Sequence, residues 1–346
     1  MNGRVDRLRE RLEEPLLVSD AANVFYLSGL ESSNAALLVE PERVRLFTDF
    51  RYAEGARSIE GVEFVEAKRD LYQTLSELLD GTIGFEATSL TFERHARLHA
   101  GGLDLVPRYG LVEELRAVKD EDELDSIRRA AAIATIAFER FADKGDIVGH
   151  TERELAWRFE QFLHEANADG VSFPAHVASG PNAAKPHSNP GERRVEKGET
   201  VIVDAGCVVD GYCSDCTRTF STGPLPDELQ RAYDVCLDAQ LVGLTAVKPG
   251  ASGPGVDSAA RDRIEAAGFG EAFGHGLGHG VGLLIHEDPR LAQESRSTLE
   301  VGNVVTVEPG IYLSGLGGIR IEDLVVVTDD GAEVLTSYPK DLRTLD

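Results

Sequence analysis

The sequence predicts two domains, an α/β domain over residues 1–122 and an α+β domain over residues 123–346. Three observations carry that division. Short β-rich runs and helical stretches alternate through about the first 120 residues, the pattern of a small α/β domain with a mixed sheet. An apolar stripe at helical spacing follows and reads as a connector. Beyond Gly170 the chain turns β-rich and glycine-rich, with two further helices. A length of 346 residues agrees, since domains average roughly 150 residues.

Taken in order, residues 1–10 read as a charged amphipathic helix lacking the apolar stretch of a secretory signal. Strands are expected at 16–19, 24–27, 35–39 and 45–48, with Pro41-Glu42 turning between the last two. A helical stretch near 52–58, a strand at 62–65, a helix at 71–79, a strand at 83–85 and a helix at 92–99 complete the first domain. Asp120 and Glu123 have capping-box spacing ahead of a stripe made by Leu124, Ile127, Ala131, Ile136 and Phe141. Thr151 and Glu154 repeat that box ahead of Leu155, Phe159 and Phe162. Helices near 227–244 and 256–267 interrupt the later strands.

Charge and cysteine content narrow the function. The 35 basic and 60 acidic residues leave a net charge of −25. That excess repels phosphate backbones and anionic bilayers, so neither nucleic acid nor membrane is expected as a partner. No apolar run approaches the roughly 18 residues of a membrane span. Four Cys make no disulfide framework, which points to a reducing cytoplasm.

The second domain carries the chemistry. Asp210-Gly211 is a favoured two-residue turn between the β-rich arms 200–209 and 212–219. In that register Asp204 faces Thr217, and Asp204 and Asp215 become diagonal neighbours on one face. Two hairpin aspartates on so acidic a chain ordinarily face solvent. Here Asp204 follows Val-Ile-Val and emerges from a strand that should be buried, so its carboxylate must be paired, protonated or metal-bound. Glu308 and Glu322 also sit in apolar strand-like runs, and an odd-length turn near Gly315 would set them opposite each other on one face. An even-length turn would separate them. Between the pairs lies Gly274-His-Gly-Leu-Gly-His-Gly-Val-Gly, continuing to His286. Missing side chains there let backbone crowd against a site.

Four carboxylates with one imidazole suit two divalent ions, whose +4 balances −4. Carboxylate-dominated ligation favours Mn(II), with Co(II), Fe(II) or Zn(II) admitted through the imidazole. Cys213 and Cys216 have Cys-x-x-Cys spacing, but in an extended arm they point to opposite faces and cannot share a zinc. The chain holds no Gly-x-Gly-x-x-Gly at this glycine-rich segment, no His-Glu-x-x-His and no Walker loop.

At these residues the sequence resembles the pita-bread metallopeptidases, and within them the Xaa-Pro branch of prolidase and aminopeptidase P. The matching stretches are Asp204-x-Gly, Gly211-Tyr-x-x-Asp215-x-Thr-Arg-Thr219, Gly278-His279-Gly-Val-Gly-Leu-x-x-His286-Glu, Glu308-Pro-Gly and Arg320-Ile-Glu322-Asp. Asn23-Val-Phe-Tyr-Leu-Ser-Gly and Thr48-Asp-Phe-Arg-Tyr are similar to the creatinase-type N-terminal domain. The resemblance implies a pita-bread (creatinase/aminopeptidase) catalytic domain over 123–346. It implies Asp204 on one metal ion, His279 and Glu308 on the other, and Asp215 and Glu322 bridging. It further implies that His187 and His286 position the scissile peptide, that Glu308 shuttles a proton, and that Arg290 meets a substrate carboxylate. Tyr212 would lie close to the substrate, and His275 and Arg320 would back the ligands. The expected activity is hydrolysis of Xaa-Pro bonds in short proline-containing peptides by a homodimer, as a dipeptidase or alternatively as an aminopeptidase on longer peptides. A non-catalytic binding module, or a metal-free hydrolase like creatinase, would have no need of five ligands.

Overall fold

The structure is a computed structural model describing residues 3–346; Met1 and Asn2, the start of the expected first helix, lie outside the described residues. The chain divides into two compact units, the first ending at Arg116 and the second beginning at Ala117.

The first unit runs α1 (Gly3–Arg9), β1 (Leu16–Val18), α2 (Ala21–Ser28), β2 (Ala35–Val39), β3 (Val44–Thr48), α3 (Ala53–Arg57), β4 (Glu63–Glu66), α4 (Leu71–Leu78), β5 (Thr82–Glu86), α5 (Phe92–Ala100) and β6 (Asp104–Arg108), then enters α6 (Glu113–Ala117). Its strands form one mixed sheet in the order β4-β3-β2-β1-β5-β6. The expected strand at 24–27 is instead the middle of α2. Asp20 caps that helix by accepting hydrogen bonds from the Ala22 and Asn23 amides, and Gly29 closes it at φ 74°. End signals outweigh the β propensity of Val24 and Phe25. Neither β6 nor α6 was foreseen.

The second unit begins with two capped helices, α7 (Glu121–Lys144) and α8 (Glu152–Glu165), and both expected capping boxes are formed. Leu124, Ile127, Ala131 and Phe141 are buried as the stripe predicts, whereas Ile136 is exposed. Nine residues beyond Ile127 at about 100° per residue is half a turn away, so Ile136 lies on the opposite face. The chain continues through β7 (Gly170–Val171), β8 (His176–Ser179), β9 (Thr200–Ala205), β10 (Cys207–Val209), β11 (Tyr212–Cys213), β12 (Cys216–Ser221), α9 (Asp227–Ala246), α10 (Gly253–Ala266), β13 (Gly278–Gly280), β14 (Glu287–Leu291), β15 (Val304–Val307), β16 (Gly310–Leu313), β17 (Gly317–Arg320), β18 (Asp323–Thr328) and β19 (Gly331–Val334).

Each helix pair covers one group of strands. Phe138, Phe141 and Phe159 of α7 and α8 share a core with Val201, Val203 and Phe220 of the sheet β12-β9-β8. Tyr233 and Ile264 of α9 and α10 share one with Val305, Val307, Val325 and Ile319 of the later strands. Alternation along a strand then dictates what the uncovered faces carry. Asp204 alternates with Val203 and Ala205, Thr217 with Cys216, Thr306 with Val305 and Val307. Asp204, Thr217 and Thr306 therefore turn away from the helices.

Candidate active site

Both hairpin registers follow from their turns. Asp210 (φ 49°) and Gly211 (φ 83°) form a left-handed two-residue turn. The pairs Val209↔Tyr212, Cys216↔Ala205 and Thr217↔Asp204 follow from it, so Asp204 and Asp215 share a face. The loop around Gly315 (φ 77°) is odd: Leu313 pairs Gly317 and Gly310 pairs Arg320. Val307↔Asp323 continues the same register in β15 and β18, which sets Glu308 opposite Glu322. β13 brings His279 between these pairs. A Cβ at Gly278 would run into the Thr306 carbonyl, so this approach of β13 to β15 requires glycine.

The result is a cavity of about 390 Å³ lined by Asp204, Asp215, His279, Glu308 and Glu322, with His187, His286, Arg290, His275 and Arg320 also on its wall. One ligand atom each from Asp215, His279 and Glu322 lie within 4.8 Å of one another. His279 Nε2 stands 3.3 Å from Glu308 Oε1 and 3.7 Å from Asp215 Oδ2. Its Nδ1 lies 3.0 Å from the Gly280 carbonyl, which as a donor leaves Nε2 free to face the carboxylates. The Thr217 hydroxyl donates to Glu322 Oε2 (2.8 Å) and the Thr306 hydroxyl to Glu308 Oε1 (3.2 Å). The His286 ring packs edge-on against His279 at 4.3 Å between centroids.

Arg320 is the permanent cation of this cluster. Its Nη2 donates to Asp204 Oδ2 at 2.6 Å, its Nε to Thr217 Oγ1, and its Nη1 to the Tyr312 hydroxyl and the Pro186 carbonyl. The Tyr312 hydroxyl lies 3.0 Å from His275 Nε2, whose other nitrogen reaches the Gly276 carbonyl. Tyr212 stands apart. Its hydroxyl donates to Glu123 on α7 and its ring packs with Leu124, Ile127 and Val304, outside the cavity lining.

Electrostatics show what this arrangement lacks. Burial pushes the Asp215 and Glu322 carboxyls well above their usual range, and the neighbouring carboxylates push them further. Burial also opposes ionisation of Glu308, but the His279 imidazole overrides it and holds Glu308 at about 2. His279 is raised in return: Glu308 outweighs the burial that would lower it. Burial lowers His275 and His286. Asp215 Oδ1 is buried with no hydrogen-bond donor. A crowded set of acceptors with one atom left unsatisfied fits divalent cations, which compensate the charge and occupy the orphaned lone pairs.

Sequence reasoning missed several neighbours. His176 lines the cavity from β8, paired with Asp204, and Phe173 packs edge-on against it. Tyr312 lines it from β16. The only signal for them is the pairing of β8 to β9 and of β16 to β17.

Two folded units, the second holding paired carboxylates around an imidazole, define a metal-dependent hydrolase of the pita-bread type with a creatinase-type N-terminal domain. Residues 125–329 match the model of Metallopeptidase family M24 and residues 4–118 that of the Creatinase/Prolidase N-terminal domain, and the chain belongs to that metallopeptidase family, whose members bind divalent metals. The chain is 37% identical over 337 residues to the uncharacterized peptidase YqhT of Bacillus subtilis, covering 95% of each protein. Among solved structures it matches an Xaa-Pro dipeptidase from Bacillus anthracis at TM-score 0.95 and 36% identity, covering 99% of both chains. It matches an X-Pro aminopeptidase from Thermotoga maritima at TM-score 0.89 and 34% identity, covering 97% of this chain and 99% of the other. Among the described residues no helix is long and apolar enough to cross a membrane.

Proposed function

We propose that this protein is a two-metal Xaa-Pro dipeptidase, acting on short proline-containing peptides with Mn(II) as its metal. The observation that carries the reading is the orphaned Asp215 Oδ1 inside a cluster of four carboxylates and His279, in one cavity with His187, His286 and Arg290. Asp204, Asp215, His279, Glu308 and Glu322 would hold the ions. Divalent ions held by these residues would supply a water of near-neutral pKa and Lewis-acid polarisation of the scissile carbonyl.

The chain's own groups do the rest. Glu308 takes the proton of the attacking water and passes it to the leaving proline nitrogen. That nitrogen carries no N–H in the substrate, so a site that asks for no amide donor there accepts proline. His187 and His286 donate hydrogen bonds to the carbonyl oxygen as charge develops on it. Arg290 is exposed on the cavity wall and meets the free carboxylate of a dipeptide. His275 holds the Tyr312 hydroxyl, which accepts from Arg320, and Arg320 holds Asp204.

The test is direct. Protein stripped with chelator and reloaded with Mn(II) is assayed on Leu-Pro and on Leu-Pro-Gly, with bound metal counted. Two ions per chain and cleavage of Leu-Pro alone are expected. Release of leucine from the tripeptide assigns it instead as an aminopeptidase, the reading favoured by its likeness to the Thermotoga maritima structure. Cleavage of neither substrate by metal-loaded protein overturns both readings. Cytoplasmic residence and a homodimer belong to the same proposal. Four buried, unpaired cysteines support the first, and sedimentation of the purified protein tests the second.

Glu152 supplies a further prediction. It is fully buried at the start of α8 and accepts from the Ser179 amide and hydroxyl (both 2.9 Å), the Asn182 side chain and the Gly191 amide. Those partners bracket the segment carrying His187. Glu152→Gln presents an NH2 group to donors and is expected to lower kcat/KM about tenfold, a loss of the order of one hydrogen bond to a charged acceptor. Steady-state kinetics with the metal content checked would show it; an unchanged kcat/KM would dismiss the role.

A further inference from the structure

Arg218 lies on β12 between Thr217 and Thr219, so its side chain leaves the strand on the face away from the cavity. It is 2% exposed and every donor is used. Nη1 donates to the main-chain carbonyl of Glu322 and to that of Thr217. Nη2 donates to Asp323 Oδ1 (2.8 Å) and to the Tyr338 carbonyl (2.6 Å), and Nε to the Tyr338 and Pro339 carbonyls. Asp323 is fully buried and saturated. Arg218 and the Thr336 hydroxyl donate to one oxygen, Gln240 Nε2 (2.8 Å) and Lys340 Nζ (2.6 Å) to the other. The Lys340 carbonyl is in turn held by the Tyr233 hydroxyl of α9. The Glu322 amide donates to the Thr217 carbonyl at 3.1 Å. Both main-chain polar groups of Glu322 are therefore fixed from behind, and the C-terminal segment 336–340 closes the arrangement.

We propose that Lys340 is a positioning residue for the metal site, holding Glu322 through Asp323 and Arg218 so that the C-terminal segment sets the affinity for divalent cations. This rests on the two-metal reading of the cavity. A buried guanidinium and carboxylate with a half-buried lysine beside them are a poor way to add stability, because packed apolar side chains serve as well. What saturated charged hydrogen bonds supply is fixed geometry. Here that geometry converges on the backbone of a residue whose carboxylate faces the cavity.

Sign separates this role from plain electrostatics. Removing a positive charge close to an acidic site should tighten cation binding by Coulomb attraction alone. Loss of positioning weakens it. Chelator-stripped full-length protein is titrated with Mn(II) by calorimetry, and the spin coupling of the bound Mn(II) pair is followed by EPR. Lys340→Met is expected to weaken Mn(II) binding about tenfold, the scale for partners that orient a metal ligand, and to alter the coupling. Lys340→Arg restores both. Thr336→Val, which changes no charge, is expected to weaken binding in the same direction and covers the case in which Lys340→Met does not fold. Mn(II) affinity unchanged or tighter in Thr336→Val, or in folded Lys340→Met, overturns the proposal while leaving the metal site intact. A wild-type protein that binds no Mn(II) overturns the reading of the cavity and this role together.

Discussion

Asp215→Asn is expected to reduce Xaa-Pro hydrolysis about 1,000-fold and to shift thermal stability in opposite directions with and without metal. Losing a group that merely orients a ligand costs roughly 10–100-fold, and a carboxylate that on the proposed reading would itself hold metal should cost more. The stability argument follows from charge. Burial first, then Glu322, Asp204 and Glu308, raise the Asp215 carboxyl above its unfolded value. A group shifted in that direction contributes stability below its unfolded pKa, about 3.9, and loses it as pH rises through the folded one. Whether it stays charged or takes up a proton on folding, Asp215 costs the metal-free protein stability at neutral pH that Asn does not cost. The metal-free variant should melt at or above wild type. Metal reverses the order. Mn(II) at 100 times its dissociation constant stabilises wild type by about 2.7 kcal/mol, roughly 5–10 °C for a unit of this size, and the variant gains little of that. Melting curves in chelator and in Mn(II) give all four values. A variant destabilised equally in both conditions would show that Asp215 serves the fold and not the ions.

What was legible in the sequence was local. Asp210-Gly211 fixed one register, and a period of two then placed Asp204 beside Asp215; Glu308 opposite Glu322 hung on an odd turn near Gly315, and the turn is odd. The capping boxes gave the starts of α7 and α8 for the same reason: the partners are three residues apart. Misreadings came where local signals competed, as at 24–27, where the Asp20 and Gly29 ends outweighed a β-rich interior. Tyr212 was lost to the offset that separates Cys213 from Cys216. Three positions from Asp215, it turns toward α7 and Glu123. His176, Tyr312 and the Arg218–Asp323–Lys340 cluster depend on pairings between distant segments. No single-sequence pattern reports those, because each partner is ordinary in its own neighbourhood.

Arg320→Met is expected to be the most damaging substitution in the metal-free protein. Arg320 is 7% exposed and is the permanently charged cation that is hydrogen-bonded into the cluster of four carboxylates. Removing it leaves Asp204 without its 2.6 Å partner, and an ion left alone in such a site costs about 3–5 kcal/mol. At roughly 2–4 °C per kcal/mol, that is a fall in melting temperature of about 6–20 °C. Divalent metal should recover part of it, since the ions take over the neutralisation. Activity should not recover, because the same guanidinium holds the Pro186 carbonyl next to His187 and, through Tyr312, His275. Lysine in its place keeps the charge but cannot span Asp204, Thr217, Tyr312 and Pro186 at once, so Arg320→Lys should recover stability more than turnover. Stability and kcat measured for both variants, each with and without Mn(II), separate the two contributions. Full recovery of turnover by lysine would mean that Arg320 acts only through its charge.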